Sequence, residues 1–131
     1  MIVIKPDMTV EVTIDPIRDV LDRALGQGVT ASNCRTIAGA YMWVDDEGLR
    51  KELPFNILAS GLYCGSVVVG NVVLMTLAES LEDSDDHEGA AQARARPCPD
   101  CHGTGVNTSR VQPIVCADCL ATGVDPGQLV R

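Results

Sequence analysis

The chain has 131 residues, a formal net charge of −8 and 46% hydrophobic residues. This length fits one modest domain, or a small domain with an attached metal-binding module, and the apolar content is high enough for a core and excludes global disorder. The negative charge disfavours non-specific binding to a phosphate backbone. Aromatic residues make up only 3% of the chain, so the core must be built from valine, isoleucine, leucine and alanine.

The chain contains six cysteines, and their meaning depends on the redox compartment. The opening residues 1–4 are too short for a signal peptide and lack its basic start. The sequence contains no apolar run near the roughly 20 residues that a transmembrane helix needs. We therefore expect a cytoplasmic protein that does not enter a membrane, in which paired cysteines indicate metal or redox chemistry rather than disulfide cross-links.

Residues 1–78 carry most of the apolar pattern and are expected to form a small α+β domain. Residues 2–4 and 10–14 have the composition of strands, and Pro6-Asp7 between them is a turn signal. The second segment alternates apolar and polar residues, which predicts that one of its faces is buried.

A helix is expected after the second strand. Asp15 is placed to cap its N-terminus, and Pro16 suits the first helical position. Gly26 and Gly28 are expected to end it. Five apolar residues at helical spacing form one stripe along this segment, namely Ile17, Val20, Leu21, Ala24 and Leu25.

Two further strands are expected at residues 34–38 and 40–44, on either side of Gly39. The acidic cluster Asp45-Asp46-Glu47 that follows, with Gly48 after it, predicts a surface turn. A calcium loop is the alternative, but the twelve-residue ligand spacing that such a loop requires is absent.

The last part of this domain is expected to contain a short helical turn or structured loop at residues 53–59. The valine-rich segments 67–69 and 72–75 predict two final short strands. Gly70-Asn71 could form the turn between them, or a bulge within one longer strand.

Strands with one helix packed on them make an α+β layer, so we expect a small mixed sheet with one amphipathic helix. Cys34 and Cys64 are expected inside it as small hydrophobic residues. A nucleophilic cysteine usually needs a basic or helix-terminal neighbour, and the sequence places none beside either residue.

Residues 79–97 are charged and are expected to be a linker or a helix. The segment is acidic at first and then rich in alanine and arginine. It could be a solvated tether, or a continuous helix that holds the C-terminal part at a fixed angle. His87 in this segment is expected to be solvated.

Residues 98–131 contain two Cys-x-x-Cys pairs, which predict a zinc-binding module. Four thiolates suit one tetrahedral Zn²⁺ ion, whereas two disulfides or four free thiols are the alternatives. His102 could substitute as a ligand, although four cysteines already satisfy the metal. The predicted metal ligands are Cys98, Cys101, Cys116 and Cys119.

The spacing of these pairs has a physical cause. Sulfurs that share a zinc ion at about 2.3 Å lie about 3.7 Å apart. The chain after each pair must curl back so that backbone N–H groups point at the sulfurs, and glycine permits this curl because it tolerates positive φ. Gly103, Gly105 and Gly123 occupy the positions of the curl. We expect metal removal to unfold residues 98–123 and to leave residues 1–78 largely intact.

The two pairs resemble the Cys-x-x-Cys-x-Gly-x-Gly repeats in the zinc region of DnaJ-type chaperones. Residues 98–105 match the full pattern, whereas Ala121 replaces the first glycine of the second repeat. The chaperone region carries four repeats and two zinc ions, so the resemblance implies one zinc ion here. The sequence lacks the His-Pro-Asp signature of a J-domain, and co-chaperone activity is therefore not implied.

Residues 1–78 resemble a family of domains of unknown function found mainly in bacteriophages and mobile elements. The resemblance lies in the opening strand pair and helix and in three segments: Trp43-Val44-Asp45-Asp46-Glu47-Gly48-Leu49, Leu53-Pro54-Phe55-Asn56 and Gly70-Asn71-Val72-Val73. It implies a phage or plasmid source, hence the host cytoplasm, and no particular activity.

Three functions fit the sequence, and the first is a small non-enzymatic zinc-binding interaction protein. The acidic charge suits a protein partner with a basic patch, such as a host factor.

The second function is a nucleic-acid-binding zinc ribbon, for which Arg94, Arg96 and Arg110 could form a small basic patch. Residues 98–131 contain only Arg110 and Arg131 as cations, which disfavours this function.

The third is a thiol-disulfide oxidoreductase or chaperone-like factor. Redox Cys-x-x-Cys motifs usually lie at a helix N-terminus beside a βαβ unit, which this sequence does not predict. With two histidines no catalytic triad can be assigned, and four cysteines leave a zinc ion no open position for water. We therefore expect that the protein is not an enzyme.

Overall fold

The computed structural model describes residues 1–63, 67–107, 113–117 and 119–125, and in these ranges the chain forms an antiparallel sheet with helices on both faces. The strands are β1 Ile2–Ile4, β2 Val10–Val12, β3 Ala31–Arg35, β4 Tyr41–Asp45, β5 Val72–Leu74, β6 Val106–Asn107 and β7 Ile114–Val115. The helices are α1 Ile17–Leu25, α2 Ile57–Leu62, α3 Leu77–Asp83 and α4 His87–Arg94.

Five strands form the main sheet in the order β2-β1-β5-β4-β3, and β6 pairs with β7 in a separate two-stranded ribbon. Every pair of neighbouring strands in the main sheet is antiparallel. The α+β class is therefore confirmed. The expected mixed sheet was wrong, because each neighbour in the sheet reverses direction. Besides the expected amphipathic helix α1, the described residues contain α2, α3 and α4.

The two faces of the main sheet are covered by different elements. Ile2 and Ile4 lie in one buried cluster with Ala59 and Leu62 of α2, so this helix covers the first face. Alternate residues of the same strands point the other way, where Val3 packs with Val20, Val73 and the ring of Trp43. Helix α1 therefore covers the second face, as its apolar stripe predicted.

The predicted strand at residues 10–14 is shorter than expected and its alternation is only partly buried. Val10 is buried, but Val12 is 42% and Ile14 is 96% exposed. The register pairs Val12 with Ile2, the first residue of β1. Ile14 therefore lies beyond the end of its neighbour at the edge of the sheet, where no second layer covers it.

Helix α1 begins at Ile17 and ends before Gly26, as the glycine predicted, but its N-terminus differs from the expectation. Pro16 occupies the N-cap position, and no side chain makes a capping hydrogen bond there. The carboxylate of Asp15 instead accepts hydrogen bonds from Arg23 Nη1 at 3.0 Å and Thr13 Oγ1 at 3.2 Å. These partners hold the carboxylate away from the helix N-terminus.

The segment before β5 contains no strand at residues 67–69 apart from one isolated bridge between Val69 and Phe55. Of the helical turn or structured loop expected at residues 53–59, the last part is helical: α2 begins at Ile57, and the side chain of Asn56 caps its N-terminus. Cys34 is half-buried in edge strand β3 and packs against the main core. The prediction for Cys64 falls outside the described residues.

Residues 79–97 contain most of α3 and all of α4, two helices separated by residues 84–86. Thr76 and Glu79 form a capping box at the start of α3, and Asp86 caps α4 by accepting a hydrogen bond from Gly89 N at 2.8 Å. The segment is thus neither a solvated tether nor one continuous helix. His87 is exposed, as expected. The division of the chain into parts 1–78, 79–97 and 98–131 stays a prediction.

Candidate metal centre

The four cysteines predicted as metal ligands lie together. Their Sγ atoms are all within 4.8 Å of one another, and all four residues are buried. The distance between Cys98 Sγ and Cys116 Sγ is 3.9 Å, and that between Cys101 Sγ and Cys119 Sγ is 3.6 Å. These values are close to the roughly 3.7 Å expected for sulfurs around one zinc ion and far from the roughly 2.05 Å of a disulfide.

Two stretches of backbone with equivalent hydrogen bonds build this cluster. Cys98 N donates to Gly123 O at 2.9 Å, and Cys116 N donates to Gly105 O at the same distance. Each repeat is thus held by the end of the other, while β6 and β7 pair between them. The repeated sequence pattern therefore corresponds to an internal two-fold arrangement of the chain.

Two threonines, for which the sequence pattern predicted no role, contribute to this arrangement. Thr104 Oγ1 donates to Cys101 O at 2.8 Å, and Thr122 Oγ1 donates to Cys119 O at 2.8 Å. Each hydroxyl closes the turn that follows the second cysteine of its repeat. The signal was present in the sequence, because both repeats carry threonine three residues after that cysteine.

Backbone N–H groups point at two of the sulfurs, as the glycine pattern predicted. Gly105 N donates to Cys101 Sγ at 3.2 Å, and Gly123 N donates to Cys119 Sγ at 3.4 Å. The departure from the repeat at Ala121 does not abolish the turn. Ala121 adopts a left-handed φ of 66°, close to the 87° of Gly103 at the equivalent position.

The electrostatics of the cluster favour a bound cation. Burial raises the pKa of the Cys101 thiol, but hydrogen bonds from the Gly105 N–H and the Cys119 thiol outweigh it and lower the pKa overall. Burial raises the pKa of Cys119 well above its usual range, and the adjacent Cys101 thiolate raises it further. The Cys101 thiolate therefore opposes ionisation of the Cys119 thiol, and a positive ion between them would favour the thiolate form of both.

The cluster could hold a metal ion, and its donor set is consistent with zinc. Within the described part of the chain, the group of potential ligands consists of the four cysteines alone, and His102 is exposed. Cys34 lies outside it. Burial raises the pKa of the Cys34 thiol, which disfavours the thiolate that a nucleophile would need.

Comparison with protein-family models, with curated proteins and with solved structures found no match. No helix in the described ranges has the length and apolar character that crossing a bilayer requires. The cysteine cluster is therefore the feature from which a function can be argued.

Proposed function

We propose that this protein is a small non-enzymatic zinc-binding interaction protein, in which Cys98, Cys101, Cys116 and Cys119 hold one Zn²⁺ ion. The observation that supports the site most directly is the convergence of four buried sulfurs at distances of 3.6 and 3.9 Å between paired atoms. The N–H groups of Gly105 and Gly123 stabilise the thiolates, as partners of metal-bound cysteines do.

The proposed zinc ion has a structural role. Catalytic zinc keeps a coordination position open for water or substrate, whereas four sulfur ligands close a tetrahedral site. Cys98 and Cys119 are fully buried, and Cys101 and Cys116 are nearly so. Burial on this scale also leaves little access for the partner disulfide that a thiol-disulfide oxidoreductase must attack.

The surface supports a role in binding another protein. Large apolar side chains are exposed at Leu49 and Val67, which line a common shallow cleft, and Leu49 is 70% exposed. The formal charge of −8 favours a partner with a basic surface over a nucleic acid. Arg94 of the suggested basic patch is neutralised by Glu82, and the prediction for Arg110 falls outside the described residues.

The resemblance of residues 1–78 to a bacteriophage and mobile-element family supplies the proposed context. In that context the protein is an accessory factor that works in the host cytoplasm and binds a host protein. The DnaJ-type repeats supply the mode of zinc binding and no chaperone activity.

Zinc binding is tested by elemental analysis of the full chain purified under reducing conditions, with one zinc ion per chain expected. A metal-free protein with protected thiols would refute the zinc site. Partner binding is tested by affinity capture from a host lysate with the wild-type chain and the Leu49→Asp variant. A nucleic acid in place of a protein, with affinity that falls steeply with salt, would favour the zinc-ribbon alternative.

A further inference from the structure

The cysteine module, described at residues 98–107, 113–117 and 119–125, packs directly against the main sheet. Val106 and Ala121 belong to the same buried cluster as Ile2 and Ile4, and both are at most 1% exposed. The approach of the backbone is equally close, since a Cβ atom placed on Gly105 would lie 2.7 Å from Ile2 Cδ1. The module therefore covers part of the first face of the sheet, beside α2.

Two further contacts tie the module to the elements after β5. Leu77 N, at the start of α3, donates to Thr122 O at 2.9 Å. Val124 is buried with Ala78 of α3 and Ala93 of α4. The end of the second repeat is thus fixed both to the sheet and to the helix pair, and neither helix is a separate connector.

The module has little means of holding this form by itself. Among its described residues, the regular structure is the ribbon of β6 and β7, with two residues in each strand. Three non-glycine residues, His102, Leu120 and Ala121, adopt left-handed φ values of 57°, 52° and 66°, a conformation that L-residues avoid. Besides its hydrogen bonds and its contacts with the sheet and with α3 and α4, an ion between the cysteines would offset these costs.

We propose that the metal completes the hydrophobic core of the main sheet, so that loss of the metal unfolds the sheet together with the cysteine module. This inference rests on the proposed zinc site. It reverses the expectation from the sequence that residues 1–78 stay intact when the metal is removed. Folding of the whole protein then depends on the bound metal, because Val106 and Ala121 cover Ile2 and Ile4 only while the cysteines are held together.

The experiment removes zinc from the full chain with a chelator in the presence of a reductant that keeps the thiols free. Zinc content is measured by elemental analysis, and hydrogen exchange is followed at the amides of Ile2–Ile4 and Val72–Leu74. We expect exchange there to accelerate at least about tenfold as zinc leaves. The fluorescence of Trp43, on the opposite face of the sheet, is expected to change in the same single transition.

Two variants in the ribbon separate core packing from metal ligation, since neither residue is a ligand. Val106→Ala removes buried contact with the sheet, whereas Ile114→Ala alters a residue that is 37% exposed. We expect both to bind one zinc ion, and only Val106→Ala to accelerate exchange at Ile2–Ile4 in the zinc-bound protein.

Unchanged exchange at the sheet amides after zinc has left would overturn this inference while leaving the zinc site standing. Equal exchange in the two variants would also overturn it. A protein that never contains zinc would instead overturn the proposed function, together with the inference that rests on it.

Discussion

The side-chain amide of Asn56 donates a hydrogen bond to the carbonyl oxygen of Ile4 at 3.1 Å, and so connects the start of α2 to the end of β1. The same Nδ2 donates to Gly70 O at 2.9 Å, while Oδ1 accepts from Ala59 N at 3.1 Å. Asn56 is fully buried. One amide thus caps a helix and satisfies two carbonyl groups at the edge of the core.

Replacement of Asn56 by alanine is expected to lower the free energy of unfolding by roughly 2–4 kcal/mol, because the helix loses its cap and two buried carbonyls lose their donor. Denaturant unfolding followed by Trp43 fluorescence measures this loss. Asn33→Ala is the control, since Asn33 is exposed on edge strand β3. Equal stability of the two variants would contradict the role given to Asn56.

Gly123→Ala is expected to destabilise the cysteine module more than Gly28→Ala. Both glycines have a left-handed backbone, with φ of 76° and 75°. Alanine avoids this conformation, so each substitution should lower the free energy of unfolding by about 1–2 kcal/mol. A Cβ atom at Gly123 would also collide with the carbonyl of Gly103, whereas the space at Gly28 is open.

The collision should add roughly 1–3 kcal/mol to the cost of Gly123→Ala and weaken zinc binding, because the Gly123 N–H donates to Cys119 Sγ. Denaturant unfolding and competition with a chromophoric chelator measure the two effects. Similar results for the two variants would mean that the close approach of the repeats has no energetic consequence.

Cys98→Ser and Cys116→Ser are each expected to weaken zinc binding by more than the roughly 10–100-fold that loss of an outer-shell partner causes, since a ligand itself is lost. Competition titration and the zinc-to-protein ratio measure this change. Cys34→Ser is the matched control, because its thiol lies in β3 outside the cluster. A ratio unchanged in Cys98→Ser would defeat the assignment of that ligand.

Asp45→Asn is expected to destabilise the protein near neutral pH and much less in acid. Burial raises the pKa of Asp45, but the Lys51 ammonium at 2.7 Å and the Glu47 N–H at 2.9 Å outweigh this and lower it overall. A lowered pKa in the folded state stabilises the protein above the unfolded value of about 3.9. That stabilisation is lost as the pH falls through the folded pKa.

The variant should therefore lose roughly 1–3 kcal/mol of unfolding free energy at pH 7, and the difference from wild type should shrink towards pH 3. Denaturant unfolding at the two pH values measures it. Asp46→Asn is the control, since Asp46 is exposed. A difference that stays constant between pH 7 and pH 3 would show that the charge of Asp45 is not its cause.

Asp45 also shows where local sequence patterns fail. The acidic run at residues 45–48 predicted a surface turn, and Asp46 is exposed accordingly, but Asp45 is the last residue of β4 and is 9% exposed. The ion pair with Lys51 offsets the cost of burying the Asp45 carboxylate. It forms only when the loop after β4 folds back. Ile14 shows the opposite case. Its apolar side chain predicted burial, but it is exposed because it lies beyond Ile2, the first residue of the neighbouring strand β1.

The sequence by itself determined the chemistry of the cysteine cluster, the placement of its glycines and the face of α1 that packs on the sheet. Each of these depends on spacings of a few residues, which the covalent chain and backbone geometry impose locally. Only the tertiary structure decided the antiparallel strand order and the contact of Gly105 with Ile2. Those features depend on which distant segments share a core, and burial of apolar surface has no direction that a local pattern could encode.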